Sequence, residues 1–333
     1  MERKNILTVT DYIPANSGRD VSDELQRLID ENPNRTLYFP DGEYLLSKPI
    51  LTPAAPQKSV SLSLSAYAML RATEDWTDEE AMVRLGGKDA ANDIVTVGSN
   101  YYFAGGIIDG SGRANGISID GGRETVIRDV SIKHTRVGIH IKRGANSGSS
   151  DADISGVNIV GTGGTDSIGV LVEGWDNTFT KMRIAHVFIG MDIKTSGNQC
   201  RAIHPLYTSD YTDYENSCGF RVAGNNNWFL NCYSDQFSNG FRTTESIRCV
   251  FDSCFCFWYS QKTGKHVGFR ADKQFCSLVK DLTLDGNHGR ETEVHLLLLG
   301  EEGGHGLIER ACMDPATLTG KAHTPYMQGE FVY

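Results

Sequence analysis

Seven short phrases opening with glycine recur along the chain: GISI from Gly116, GIHI from Gly138, GVLV from Gly169, GMDI from Gly190, GFRV from Gly219, GFRT from Gly240 and GFRA from Gly268. Their spacings are 22, 31, 21, 29, 21 and 28 residues. A repeat of about 20 to 30 residues, carrying β-type phrases and turn residues, is the signature of a solenoid. The reading is an all-β, single-stranded right-handed parallel β-helix. Function in such a fold belongs on the outer face of the stacked strands and on the longer loops beside it.

Each coil can be read internally. After the glycine, positions plus one and plus three are mostly apolar, as in Ile117 and Ile119 or Met191 and Ile193, and position plus two alternates to the other face. A second strand follows in most coils, for example VIRDVSI (126–132), WFLNCYS (228–234) and CVFDSCF (249–255). Eight residues after four of the glycines stands an asparagine: Asn146, Asn177, Asn198 and Asn227. Asparagine tolerates tight turns and bonds their backbone, so a stacked structural column at a coil corner is expected. Cys232 and Cys254 fall at equivalent places and read as small buried hydrophobes. No paired CxxC unit suggests structural zinc.

Solenoids grow in one dimension, so 333 residues need only one domain. Three stretches are expected within it: a cap over 1–50, coils over 51–285, and a terminal coil and tail over 286–333. No apolar run reaches the ~20 residues of a membrane span, and no secretory leader is visible. The expected locations are therefore the cytoplasm or a virion, unless the chain is a trimmed secreted form. Lys and Arg number 32 against 42 Asp and Glu, a net charge of −10. That argues against a nucleic-acid groove, and against a long polyanion unless the site is locally basic. Phosphate-loop and nucleophile-elbow phrases are absent.

Residues 18–46 carry a resemblance. Gly18 to Asp20, then Leu25-Gln26 within an amphipathic stretch, then LYFPDGEYLL, resembles the start of pectate-lyase-superfamily proteins. The residues themselves give a short helix, with Ser22 as its expected N-cap and Leu25, Leu28 and Ile29 as its apolar stripe, and the resemblance implies that this helix plugs the open end of the β-helix. GGIIDGSG (105–112) resembles a phrase of polygalacturonase-like proteins in which Asp109 marks a turn. Residues 73–85 are expected to form a short helix or an outward loop. The polygalacturonase catalytic phrases are not reproduced: Gly304-His305-Gly306 falls after the last repeat, and no Asp-Asp or Arg-Ile-Lys occurs.

Extra length after the second strand, at 160–168, 204–218 and 257–267, is expected to build walls beside the glycine phrases. The middle wall alternates Tyr207, Asp210, Tyr211, Asp213, Tyr214 and Glu215. Aromatic rings stack on sugars, and carboxylates bond hydroxyls or act as acid and base. Alternatively, these tyrosines pack against neighbouring loops. The plus-two column reads Ser118, His140, Leu171, Asp192, Arg221, Arg242 and Arg270, with Glu173 and Lys194 two residues further along. Three stacked arginines repel unless an anionic substrate or aspartates such as Asp192 and Asp272 offset them.

Two chemistries fit. Glycosidic cleavage needs a carboxylate pair, for which Glu173, Asp192, Asp210, Asp213 and Asp235 are candidates, Asp235 with Glu245 offering another pairing. Elimination from a uronate would use Arg221, Arg242 or Lys194, and the resemblance then implies calcium; cleavage by carboxylates needs no cofactor. Substrate-binding candidates are Arg221, Arg242, Arg270, His140, Lys194, Tyr207, Tyr211, Tyr214 and Glu215. A third reading is a tail-spike-like or glycan-binding protein, a homotrimer with carbohydrate as partner.

Overall fold

The computed structural model describes residues 6–54, 58–88, 102–143, 149–208, 213–259, 264–286, 292–299, 304–313 and 331–332. Two compact units divide the chain: Met1–Thr162 with Val170–Thr178, and Gly163–Gly169 with Phe179–Tyr333. Each is a stack of parallel strands, in coils of mostly three strands.

In the first unit, three inward columns form the core. Leu37, Leu62, Phe103, Ile127 and Ile154 are paired in register on successive coils. Tyr44, Leu70, Ile108, Ile132 and Ile159 form the second column. Ile50, Val83, Ile117 and Ile139 form the third. All of these side chains are buried. A fully stacked leucine or isoleucine contributes about 1.5–3 kcal/mol through removal from water.

The third column corrects an expectation. Residues 73–85 are neither a helix nor an outward loop throughout, because Ala81–Lys88 is a strand of the glycine-phrase sheet. Val83 pairs with Ile117, so Met82 stands where Gly116 stands one coil later. The sheet thus begins before the glycine phrases do, with Ile50–Pro53. A Cβ built on Gly116 would lie 2.3 Å from the Gly138 carbonyl oxygen and 2.7 Å from Ile132 Cγ2. In the second unit a Cβ on Gly219 would lie 2.2 Å from Ser234 Oγ. Close approach of coil to coil therefore demands the glycine, and an alanine there forces the coils apart.

The helix Ser22–Glu31 buries Leu25, Leu28 and Ile29. Gln26 docks on Ile50–Pro53: its Nε2 donates to the Leu51 carbonyl at 3.0 Å and its Oε1 accepts the Leu51 N–H at 2.7 Å. An exposed strand edge templates further pairing, and this amide occupies one rung of it. Ser22 is not the N-cap but the first helical residue; Val21 holds the cap position. Asp20 supplies the acceptor instead, taking the N–H of Ser22 at 3.0 Å and that of Ser47 at 3.0 Å. No helix among the described residues is long and apolar enough to cross a membrane.

The core of the second unit is aromatic. Met191, Phe220, Phe241 and Phe269 are in register beneath the glycine sheet. Phe220 and Phe241 stack at 4.8 Å, and Phe229 and Phe251 at 4.6 Å. Cys232 and Cys254 are buried and free. The asparagine column is present: Asn198 Nδ2 donates to Asn227 Oδ1 at 3.0 Å, and both residues are buried. Asn177, in the first unit, accepts the Ala152 N–H at 3.1 Å; Asn146 lies outside the described residues. The coils of this unit bend at a single left-handed residue, which lies within a continuous strand at Lys181 and Ala202 and between two strands at Asn231, Ser253 and Asp281; all five have φ between 50° and 53°.

Candidate functional site

A cavity of about 650 Å³ opens over the glycine sheet of the second unit. Two expected wall segments line it, one through Asp213, Tyr214, Glu215 and Asn216 and the other through Gly264 and Lys265. Its floor is Ser238, Asn239, Val267 and Arg270. The strands Asn239–Thr243 and Gly264–Ala271 supply the floor, and a short 3₁₀ turn, Tyr214–Asn216, holds the wall.

The wall is tied down by a residue that the motif reading passed over. Asn239 is fully buried, and its Nδ2 donates to the carbonyls of Glu215 at 2.8 Å and Ser217 at 3.0 Å. It precedes a phrase glycine at a position held by Val137, Ile168, Ile189, Cys218 or Val267 in other coils. A polar residue in an otherwise mostly apolar column was the available signal. Asn115 is its counterpart in the first unit, with Nδ2 donating to the Glu79 carbonyl at 2.6 Å.

Asp213 and Glu215 are exposed. Asp213 Oδ1 accepts from Asn216 Nδ2 at 2.7 Å, which fixes one oxygen of this cavity-lining carboxylate. Tyr214 is half-buried; its hydroxyl donates to the Gln236 carbonyl at 3.1 Å, and its ring meets Tyr207 at 5.3 Å. Burial, then Tyr207, pushes its phenol far up from the ordinary value. Tyr207 is buried and also packs edge-on against Phe237 at 5.5 Å. This ring supports the wall rather than offering a face to a sugar, because the alternation that buries Ile203 and Pro205 of the strand Gln199–Leu206 continues to Tyr207. Asp210 and Tyr211 lie outside the described residues.

The arginine ladder has the expected register, with Asp192 opposite Arg221, Arg221 opposite Arg242, and Arg242 opposite Arg270. Its charges are largely answered from within. Arg221 binds Asp192 through two bonds, Nε to Oδ1 at 2.9 Å and Nη2 to Oδ2 at 2.6 Å. Asp272 bridges the others, taking Arg242 Nε at 2.8 Å and Arg270 Nε at 2.7 Å on its two oxygens. The Asp192 hydrogen bond raises Arg221 from its ordinary value against the opposing effect of burial. Beside the ladder, burial pushes the Cys218 thiol up to about 12, while Arg242 and Arg221 pull it the other way.

The remaining candidates are scattered. In the first unit, His140 Nε2 and Glu173 Oε2 are 2.8 Å apart on the glycine sheet. Glu173 and Asp192 belong to different units, and each has its own partner. Lys194 is exposed. Asp235 lies on Tyr233–Asp235, in a different sheet from the glycine phrases, with His204 Nε2 at 3.2 Å and Gln236 Nε2 at 2.9 Å. Glu245, its suggested companion, pairs instead with Lys273. Asp109 takes the Ser111 N–H at 2.9 Å, forming a turn as expected. Among the described residues, no three His, Cys, Asp or Glu side chains converge as a metal cluster.

No protein-family model matches the chain, and no curated protein sequence matches it. Solved structures do. The tailspike protein of E. coli bacteriophage HK620, in complex with a pentasaccharide, is 10% identical with a TM-score of 0.73, over 98% of this chain and 65% of that one. Endo-xylogalacturonan hydrolase from Aspergillus tubingensis is 12% identical with a TM-score of 0.68, over 98% of this chain and 99% of that one. ORF18 of Geobacillus virus E2 is 14% identical with a TM-score of 0.62, and the chain spans 61% of its length. At these identities the likeness is one of fold, and the fold is the right-handed parallel β-helix.

Proposed function

We propose that the protein cleaves glycosidic bonds of a poly- or oligosaccharide held in the cavity over the glycine sheet, with Asp213 and Glu215 as the carboxylate pair. The observation that carries this reading is that two exposed carboxylates and Arg270 line one cavity of about 650 Å³. That volume suits a ligand of one to a few sugar rings. One carboxyl group protonates the glycosidic oxygen as the bond to the anomeric carbon breaks. The other activates a water or attacks that carbon directly, according to their separation. Arg270 spends its Nε on Asp272, and its terminal amino groups are the donors for substrate oxygens. One fold neighbour is named a hydrolase, and another was solved with a bound pentasaccharide, which supports carbohydrate as the ligand class.

Elimination is less well supported. A base must lose its proton, and Arg221 is held protonated by two bonds to Asp192.

The test is digestion of a panel of neutral glycans and uronates, read for new reducing ends and for unsaturated-uronate absorbance. Reducing ends without absorbance are expected, and Glu215→Gln and Asp213→Asn should each lower the rate by about 10²-fold or more. Absorbance rising with the reducing ends would replace hydrolysis by elimination. Full activity in both variants would remove the proposed pair. Silence across the panel, with a stable trimer in solution, would move the reading to a spike or binding protein.

A further inference from the structure

A second cavity, of about 450 Å³, lies away from the glycine sheet within the second unit. Three consecutive coils line it in the same pattern: Lys181 to Arg183, Ala202 to His204, then Asn231 and Tyr233. The left-handed residues Lys181, Ala202 and Asn231 mark the coil corner, and two residues later Arg183, His204 and Tyr233 point outward. Alanine in this conformation costs about 1 kcal/mol relative to the ordinary regions, so the corner is imposed by the coil and not chosen by the residue.

Arg183, His204 and Asp235 form a relay of fixed direction. Arg183 Nη1 lies 3.2 Å from His204 Nδ1, and His204 Nε2 lies 3.2 Å from Asp235 Oδ2. A guanidinium only donates, so Nδ1 is the acceptor and Nε2 carries the proton towards Asp235. The imidazole is further held by stacking on Tyr233, with centroids 4.1 Å apart and planes 11° apart. The guanidinium is therefore oriented by groups that do not neutralise it. Asp235, the carboxylate bonded to His204, is nearly buried and also accepts from Gln236.

Lys181 and Arg183 are exposed, and neither has a carboxylate partner among the described residues. In a chain of net charge −10, these two cations lie on one strand, Thr178–Ala185, and line one cavity. Asn231 adds an exposed amide, able to donate and accept, and Tyr233 adds a phenol raised from its ordinary value by burial, then by Asp235.

We infer that this cavity is a second saccharide site, which takes a sugar unit bearing an oxyanion, a carboxylate or a sulfate, on Lys181 and Arg183, with Asn231 meeting its hydroxyls. The oxyanion half of the inference stands on this cavity alone; the sugar half rests on the carbohydrate reading above. A guanidinium and an ammonium lining one cavity can both bind an oxyanion through charge-assisted bonds, and a cavity of this size admits one or two rings.

Titration calorimetry on the full chain tests it, with Arg270→Gln as the background so that the other cavity does not contribute. The probes are a trimer of galacturonic acid, its methyl ester, a sulfated trisaccharide and inorganic sulfate. The acid and the sulfated sugar should bind, and comparing them identifies the preferred anion. The ester should bind at least about tenfold more weakly, as should the acid to added Arg183→Gln or Lys181→Gln. Raising the salt should weaken the interaction, because the cations are exposed. In the parent chain, Arg183→Gln should leave reducing-end release from a short substrate within about twofold, which separates this site from the cleavage site. Equal binding of acid and ester, or unchanged binding in both Gln variants, would overturn the site. Inorganic sulfate binding as tightly as the sugars would overturn the sugar and leave a simple anion site. Both binding outcomes remain readable if no substrate is ever cleaved.

Discussion

Two groups of basic residues lie in the same unit and are treated oppositely. On the glycine sheet, Arg221, Arg242 and Arg270 share Asp192 and Asp272, every Nε being bonded to a carboxylate. At the coil corner, Lys181 and Arg183 have no carboxylate among the described residues, and the His204 imidazole positions one of them. Stacked coils place like side chains about 4.8 Å apart, so a cationic column is unfavourable unless something answers it. The first group is answered by the fold itself and serves to hold register over the floor of a cavity. The second is left to solvent or to a ligand.

Asp192→Asn is the strongest way to break this contrast. Only 3% of the Asp192 side chain is exposed, against 35% for Arg221. Losing the charge leaves Arg221 partly desolvated beside Arg242. Breaking a buried pair costs about 3–5 kcal/mol, and the exposed third of Arg221 discounts this to about 2–3 kcal/mol. Urea unfolding should show a lower midpoint with an unchanged slope. Replacing Arg221 by methionine in the same chain should recover most of the loss, since the cost lies in the orphaned charge. A loss under about 0.5 kcal/mol would make the pair an ordinary surface contact and the ladder no different from the corner.

Asp272→Asn should have a smaller effect on stability and a larger one on binding. Asp272 is 20% exposed and serves two arginines, so water can replace part of what it gives, and about 1–2 kcal/mol is the expected loss. The substitution also turns two compensated arginines into uncompensated ones. The cavity over the glycine sheet should then gain affinity for galacturonate oligomers, measured by calorimetry in a chain carrying Arg183→Gln. No gain would mean that an unanswered cation is not sufficient for anion capture in this fold.

How much of this was legible in the sequence follows from how local each cause is. The glycine phrases were readable because one clash, a Cβ against a backbone oxygen of the next coil, recurs at Gly116, Gly169, Gly190, Gly219 and Gly240. The ladder register was readable because those phrases align it. Tyr207 was misleading: alternation with carboxylates looks like a sugar platform, but the continuing strand turns this ring into the core. Asn239 needed the wall to be in place before its two carbonyl partners could be seen. The corner site was hidden because Lys181 and Ala202 occupy left-handed positions without being glycine or asparagine, which no local signal announces. Yet Arg183, His204 and Tyr233 are spaced by 21 and 29 residues, the same intervals as Gly169, Gly190 and Gly219. The ruler set by the glycines, applied to the outward positions of the other strands, would have found them.

The smallest expected effect is the most discriminating. If Lys181 and Arg183 are held for a ligand and not for the fold, Lys181→Gln and Arg183→Gln should leave the urea midpoint where it is. Their side chains are exposed and no carboxylate loses a partner. Water can satisfy His204 Nδ1 once Arg183 is gone, because His204 is only partly buried, and exposed substitutions away from special features change stability little. The corner conformation at Lys181 belongs to the backbone, and glutamine meets the same steric constraint as lysine there. A marked drop in the midpoint for either variant would show that the cation braces the coil corner, and the two basic groups would then differ in partner but not in purpose.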